Sequence, residues 1–231
     1  MHDQFIRTAA LLGEAALQKL QNAHVAVFGI GGVGGHVVEA LVRAGVGALD
    51  LIDADTVSES NINRQIIALH STVGQYKTAA AKARALDINP AVRITTHNTF
   101  FLPENADTFD FSQYSYVVDA VDTVSAKMEL VRRANAAGVP IISSMGTGNK
   151  LDPTAFRISD IYKTEGCPLA RTVRGLCRRE GIKHLKVVFS PEEPKGAIFT
   201  DHARHAPASI SFVPAAAGLV IASAVIGDLC Q

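Results

Sequence analysis

The chain of 231 residues contains three cysteines, Cys167, Cys177 and Cys230, and no two of them form a C-x-x-C pair. This excludes the paired-thiolate pattern of a structural zinc site. Neither sign of charge is in excess, because 22 Lys and Arg balance 22 Asp and Glu. No global field therefore draws the protein to nucleic acid, and any attraction for phosphate must be local. Internal repeats and low-complexity segments are absent. Long hydrophobic runs are scarce too: the longest, Phe212 to Ile226, is short for a membrane span and is interrupted by Pro214 and Gly218, which favours a packed C-terminal helix over an anchor. With no secretory pattern at the N-terminus and an odd number of thiols, the expected compartment is the cytoplasm. At 48% apolar residues, the chain can bury the core of one compact domain spanning 1–231.

Present instead is a glycine-rich segment, Gly29-Ile-Gly31-Gly32-Val-Gly34-Gly35, between an apolar run (Val25 to Phe28) and a stretch with helical apolar spacing (Val33 to Arg43). A strand that enters a helix through glycines lets phosphate oxygens approach the backbone, and the free N–H groups of the helix start attract the anion. Asp53 ends the next apolar run, Ala48 to Ile52, where a carboxylate can bind ribose hydroxyls. This much fits a dinucleotide dehydrogenase equally well, or a tight strand-to-helix turn with no ligand at all.

The stretch after Asp55 separates these readings. Ser60-Asn61-Ile-Asn-Arg64-Gln65 is too polar for a core strand, and Lys77 lies on a helix expected from Gly74 to Leu86. Folded back over the glycine loop, Arg64 and Lys77 would flank the outer phosphates of a triphosphate, and Asn61 would bond ribose or phosphate oxygens. A nucleotidyl transfer needs such a cluster because charge builds on the departing pyrophosphate. Tyr116 to Asp122 reads as a buried strand ending in carboxylates, and Asp122 at its carboxyl end is placed for Mg²⁺. Taken singly, Arg64 and Lys77 also read as solvated charges, Asp122 as a helix N-cap and Asn61 as a turn residue; the four in this order favour the joint reading.

On these motifs, with Ile88-Asn-Pro90 and Asp119-x-x-Asp122, residues 5–150 resemble the ubiquitin-activating-enzyme-like adenylating superfamily. The resemblance implies a Rossmann-like, doubly wound, mostly parallel α/β sheet with an N-terminal helical arm and a C-terminal extension. It implies ATP contacts from Gly29, Gly31, Gly32, Gly34, Asp53 and Asp55, phosphate contacts from Asn61, Arg64, Gln65 and Lys77, and Mg²⁺ on Asp122. It further implies that Arg7, in Phe5-Ile-Arg7, reaches the nucleotide of a neighbouring subunit, so that the active unit is a homodimer. The catalytic set is then Arg7, Arg64, Lys77 and Asp122.

Within that superfamily the chain is similar to the tRNA threonylcarbamoyladenosine dehydratases, through Asn63 to Leu69, Asp152-Pro-Thr154, Asp160-Ile-x-Lys163-Thr164, Pro168-Leu-Ala170 and Val188-Phe-Ser190. The implied reaction activates the threonylcarbamoyl carboxylate with ATP, and internal attack closes a ring and expels AMP. Because the nucleophile belongs to the same nucleoside, no covalent cysteine is required. Some members carry a cysteine before the last helix; here Ala206 to Pro214 has none, which weakens any link to a sulfur-transfer partner. Cys167, beside a helix start, reads better as a bystander than as a nucleophile. A sulfur-carrier adenylating enzyme and a non-catalytic nucleotide-binding scaffold are the alternative functions.

The second half, 151–231, is expected to serve substrate and dimer. It holds a short strand at Phe156 to Ile158, a helix from Pro168 to Glu180, a strand at Leu185 to Phe189, and a mobile loop over 190–208 that includes His202 and His205. Arg171, Arg174 and Arg178 fall on one helix face and continue towards Arg179, Lys183, His184 and Lys186, a stripe able to follow an RNA backbone or simply to be solvated. Nothing points to DNA.

Overall fold

The fold, given by a computed structural model, is described over residues 3–196, 198–201 and 204–231. It begins with α1 (Ile6–Leu12) and α2 (Glu14–Asn22). The expected single helical arm is broken at Gly13, whose φ of 87° is open to glycine but strained for other residues. The buried side chains Phe5, Ala9 and Leu17 hold the two pieces together.

The chain then runs β1 (His24–Phe28), α3 (Gly34–Ala44), β2 (Ala48–Ile52), α4 (Lys77–Ile88), β3 (Arg93–His97), β4 (Tyr116–Asp119), α5 (Val124–Ala137) and β5 (Ile141–Ser144). The remainder is β6 (Arg157–Asp160), α6 (Pro168–Arg179), β7 (Lys186–Phe189), β8 (Ile198–Asp201), β9 (Arg204–Pro207) and α7 (Phe212–Cys230). One seven-stranded sheet has the order β3-β2-β1-β4-β5-β7-β6 and is parallel except where β6 pairs antiparallel with β7.

Sequence chemistry explains the layering. β1 and β2 are near-continuous apolar runs because both sheet faces are covered. Val37, Val38, Leu41 and Val42 of α3 share a core with Ala80, Ala81 and Ala85 of α4 and with Val213, Ala217, Ile221 and Val225 of α7. On the opposite face, Met128, Leu130 and Val131 of α5 join Val173 and Cys177 of α6 and an aromatic group, Phe28, Phe101, Phe109 and Phe111. Each fully buried side chain of this size contributes about 1.5–3 kcal/mol relative to exposure. By length and composition α7 is apolar enough to cross a membrane. In this fold one of its faces is buried against α3, where a Cβ on Gly218 would lie 2.5 Å from the Val33 carbonyl oxygen.

Three boundaries depart from expectation. α4 starts at Lys77, not Gly74, because residues 74–76 are drawn into pairing with 55–57: Val57 N–H donates to the Gln75 carbonyl and Gly74 N–H to that of Val57. The short strand lies at Arg157–Asp160, set by its register against Lys186–Phe189. Residues 190–208 are not one loop but contain the β8–β9 antiparallel hairpin, with Ile198 opposite Pro207 and Asp201 opposite Arg204. Ile198-Phe-Thr200, β-branched and aromatic, suits a strand. His202 lies outside the described residues, and of His205 only the backbone, in β9, is described.

The chain leaves β1 for β2 and β3 on one side and returns to β4 on the other. The carboxyl ends of β1 and β4 therefore open a crevice at a topological switch point, the place where doubly wound sheets bind ligands.

Candidate active site

An open cleft of about 560 Å³ lies at this switch point. Its lining includes Gly29, Gly31, Gly32, Asp53, Asp55, Asn61, Arg64, Gln65, Lys77 and Asp122. Residues that follow β1, β2 and β4 thus meet in one cleft.

The glycines have separate duties. Gly29 has φ of 88°, and a Cβ there would lie 2.6 Å from the Ala120 carbonyl oxygen. Gly34, expected to contact nucleotide, is buried and does not line the cleft; its Cβ would sit 1.8 Å from the Gly29 carbonyl oxygen. It lets α3 pack against its own entry turn. Gly31 is different, since its nearest neighbour would be Gln65 Nε2 at 3.8 Å. The space above Gly31 is open to a phosphate.

Asp53 braces this loop. One carboxylate oxygen accepts from Ile30 N–H at 2.7 Å and the other from Asp55 N–H at 2.9 Å. Burial raises the Asp53 carboxyl above its ordinary pKa, and the Lys77 charge and the two backbone hydrogen bonds only partly oppose it. Each oxygen keeps a further lone pair for a ribose hydroxyl.

The polar segment folds over the glycines. A short 3₁₀ turn, Glu59–Asn61, places Asn61 in the lining while its Oδ1 accepts from Ser58 N–H at 3.2 Å. Asn61 is therefore both a turn residue and a cleft residue. Arg64 is half-buried and hydrogen-bonds the Ser60 carbonyl and Asn63 Oδ1, each at 2.9 Å. Burial draws its guanidinium below the ordinary pKa. Gln65 is buried, and its Oε1 is the one buried side-chain polar atom without a partner among the described residues. Such an orphan costs about 1–3 kcal/mol, and a ligand donor in the cleft would relieve it.

Lys77, in the first turn of α4, pairs with Asp55 at 2.6 Å; its side chain is 8% exposed and that of Asp55 50%. This is a fixed cation held at the rim by a solvated carboxylate, not a loose surface charge. Asp122 is exposed in the cleft and accepts from Thr123 Oγ1 at 3.3 Å. No side chain caps α5, so the N-cap reading of Asp122 is set aside. Its neighbour Asp119 is fully buried and bound to Lys127 at 3.1 Å and to Ser143, a structural pair that fixes the end of β4. Among the described residues no group of three or more His, Cys, Asp or Glu can hold a metal ion. Magnesium keeps water and phosphate ligands and needs only one or two carboxylates, so Asp122 together with a triphosphate forms a sufficient donor set.

Arg7 stands apart. It is exposed on α1 and is not part of this chain's cleft lining. The basic stripe on α6 is only partly available: Arg171 and Arg178 are exposed, but half-buried Arg174 donates to the Thr164 carbonyl at 2.8 Å and to its hydroxyl at 2.6 Å. The Arg178 guanidinium lies 5.7 Å from the Tyr162 ring centroid. Lys186 is paired with Asp228 at 2.6 Å. No cysteine lines the cleft: Cys167 and Cys177 are buried, and burial pushes the Cys177 thiol up to about 11.

Thr99 to Leu102, Val121, Thr147, Ser209 and Pro214 also line the cleft. The rule that loops after parallel strands build the site would have found Thr99 to Leu102 after β3 and Thr147 after β5. Ser209 and Pro214 come from a distant segment without a motif.

The ThiF family model matches residues 4–231. A relative in Bacillus subtilis, "tRNA threonylcarbamoyladenosine dehydratase", is 42% identical over 100% of this chain and 96% of its own length. The Escherichia coli protein of the same description is 42% identical over 74% of this chain and 64% of its own length. The solved structure of E. coli TcdA, a tRNA N6-threonylcarbamoyladenosine dehydratase in complex with ATP, superposes with a TM-score of 0.88 at 36% identity, covering 98% of this chain and 93% of that one.

Proposed function

The chain belongs to the ThiF family, and from that premise we propose that it is an ATP-dependent tRNA threonylcarbamoyladenosine dehydratase acting through an acyl adenylate. The observation that carries the catalytic part is the meeting of a fixed Lys77, a half-buried Arg64 and the Gln65 Nε2 donor around the open Gly31. Two cations and an amide donor at a helix N-terminus suit a triphosphate. Asp53 and Asn61 would take the ribose side. Magnesium, held by Asp122, would supply charge neutralisation at the phosphates.

A carboxylate is a poor electrophile, and transfer of AMP to it provides a leaving group. Arg64 and Lys77 stabilise the charge that passes to pyrophosphate; such preorganised groups contribute about 3–4 kcal/mol each to the transition state. The nucleophile is already tethered to the activated carboxyl, so the chain's remaining task is to hold both ends together and keep water out.

Arg7 completes the phosphate cluster from a second copy. Its exposure outside the cleft, beside Ile6 at 53% and Leu11 at 83% exposed, supports a homodimer with an apolar contact at α1. Arg171 and Arg178, with exposed Arg179 and Lys183, form the tRNA-facing surface. The site of action is the cytoplasm, where tRNA is modified.

The test is pyrophosphate and AMP release from ATP and Mg²⁺ with tRNA carrying threonylcarbamoyladenosine. Release should depend on the modified tRNA. Release that instead requires a small protein ending in Gly-Gly would move the chain to the sulfur-carrier reading, and no release with either would leave a nucleotide-binding scaffold.

A further inference from the structure

Asn149 is the one non-glycine residue with positive φ, 58°, among the described residues. Asparagine tolerates this left-handed conformation better than most side chains do. The conformation has a use at this position. Asn149 N–H donates to the Ala208 carbonyl at 2.8 Å, and Ala208 N–H returns a bond to Asn149 Oδ1 at 2.7 Å. On the other flank, Lys195 N–H donates to the Asn149 carbonyl at 2.7 Å. One residue therefore receives both ends of the segment that carries the β8–β9 hairpin.

Its neighbours tighten the same junction. A Cβ on Gly148 would lie 2.6 Å from Pro207 Cβ, so the backbone passes directly beneath the hairpin's exit. Asn63, beside Arg64, donates from Nδ2 to the Ser209 carbonyl at 3.1 Å. Thr147 and Ser209, two residues before and one residue after this clasp, both line the cleft. Thr147 enters it beyond β5, on the side of the switch point away from Thr99 to Leu102, and Ser209 is tied through Asn63 to the segment that carries Arg64. A nucleotide whose phosphates lie over Gly31 leaves this side for the carboxylate that accepts AMP.

We infer that Asn149 is a positioning residue for the acyl acceptor: by clasping the base of the hairpin it sets Thr147 and Ser209 against the carboxylate-bearing nucleoside of the tRNA. The inference rests on the dehydratase reading above. Asp53, the residue assigned to the ribose, lies at the end of β2 while Thr147 follows β5, so loss of the clasp should affect the acyl acceptor more than ATP.

The experiment uses the full-length protein with three variants. Asn149→Asp keeps the side-chain acceptor, Asn149→Gly keeps the backbone conformation without that acceptor, and Asn149→Ala keeps neither. KM for modified tRNA should rise about 3- to 10-fold in Asn149→Gly and more in Asn149→Ala, by the loss of one or two backbone-anchoring bonds. KM for ATP should stay within about 2-fold, and Asn149→Asp should restore most of the tRNA affinity. Amide hydrogen exchange, read without substrate, should quicken at Lys195 and Ala208 in Asn149→Ala while the β1 and β4 amides stay protected. An unchanged KM for tRNA in Asn149→Ala, equal losses for ATP and tRNA, or unaltered exchange at both flanks overturns the inference. Failure of the wild-type protein to act on modified tRNA in the same assay refutes the underlying reading instead, and the positioning role falls with it.

Discussion

Replacing Lys77 by alanine separates a catalytic cation from a structural one. Its partner Asp55 is 50% exposed and can be hydrated when the ammonium is removed. The lost pair therefore costs about 0–1 kcal/mol of stability, as for other solvent-reached ion pairs. On the proposed mechanism the same ammonium faces charge growing on pyrophosphate from a side chain only 8% exposed, a setting in which one donor contributes about 3–4 kcal/mol. That difference corresponds to about a 10²- to 10³-fold loss of kcat/KM. The assay pairs pyrophosphate release with urea denaturation of the same preparation. Asp55→Asn serves as the comparison: it releases Lys77 without removing it and should lose about 10-fold or less. If Lys77→Ala keeps its rate within about threefold, or if Asp55→Asn loses as much as Lys77→Ala, then Lys77 is no more than the partner of Asp55 and the phosphate assignment is wrong.

Other expectations follow from the same geometry. Gly31→Ala should fold within about 1 kcal/mol of the parent, because its methyl meets nothing nearer than 3.8 Å, yet should raise KM for ATP about tenfold or more by filling the phosphate space. Gly34→Ala should lose more than about 3 kcal/mol in urea denaturation, since its methyl would sit 1.8 Å from a backbone oxygen; equal behaviour of the two variants refutes the division of roles. Asp122→Asn should raise the Mg²⁺ concentration needed for half-maximal rate, and an unchanged requirement removes it from metal binding. Asp50 supplies a pH dependence. Burial pushes its carboxyl up, but hydrogen bonds from His24 and His97 outweigh this and leave its pKa below the ordinary value. Its contribution to stability is thus full above about pH 4 and disappears as pH falls through the lowered pKa; Asp50→Asn should flatten that acid limb in urea titrations, and a superimposable acid limb contradicts the assignment.

The first five strands and their turns were legible because their signals are local. Continuous apolar runs mark β1, β2 and β4 as doubly covered strands, and glycines at a strand end mark the phosphate turn. Asp53, Asn61, Arg64, Gln65, Lys77 and Asp122 reach one cleft because each follows a strand or belongs to a segment folding over one. Gly34 is indistinguishable in sequence from a phosphate-contacting glycine because contact with a phosphate and contact with the loop's own carbonyl demand the same absent side chain. Its closeness to Gly29 appears only in three dimensions. The α6 stripe was spaced correctly, but spacing does not reveal that Arg174 is bound to Thr164 on a preceding turn. Ser209 and Asn149 carried no motif at all. Their meeting depends on a hairpin whose return path is a long-range fact.

Whether this cleft activates a carboxylate carried by tRNA is decided by mass spectrometry of nucleosides. tRNA bearing threonylcarbamoyladenosine is incubated with the protein, ATP and Mg²⁺, digested, and compared with a sample lacking ATP. The modified nucleoside should become lighter by one water only when ATP is present. An unchanged nucleoside, from a preparation shown to bind ATP, would contradict it.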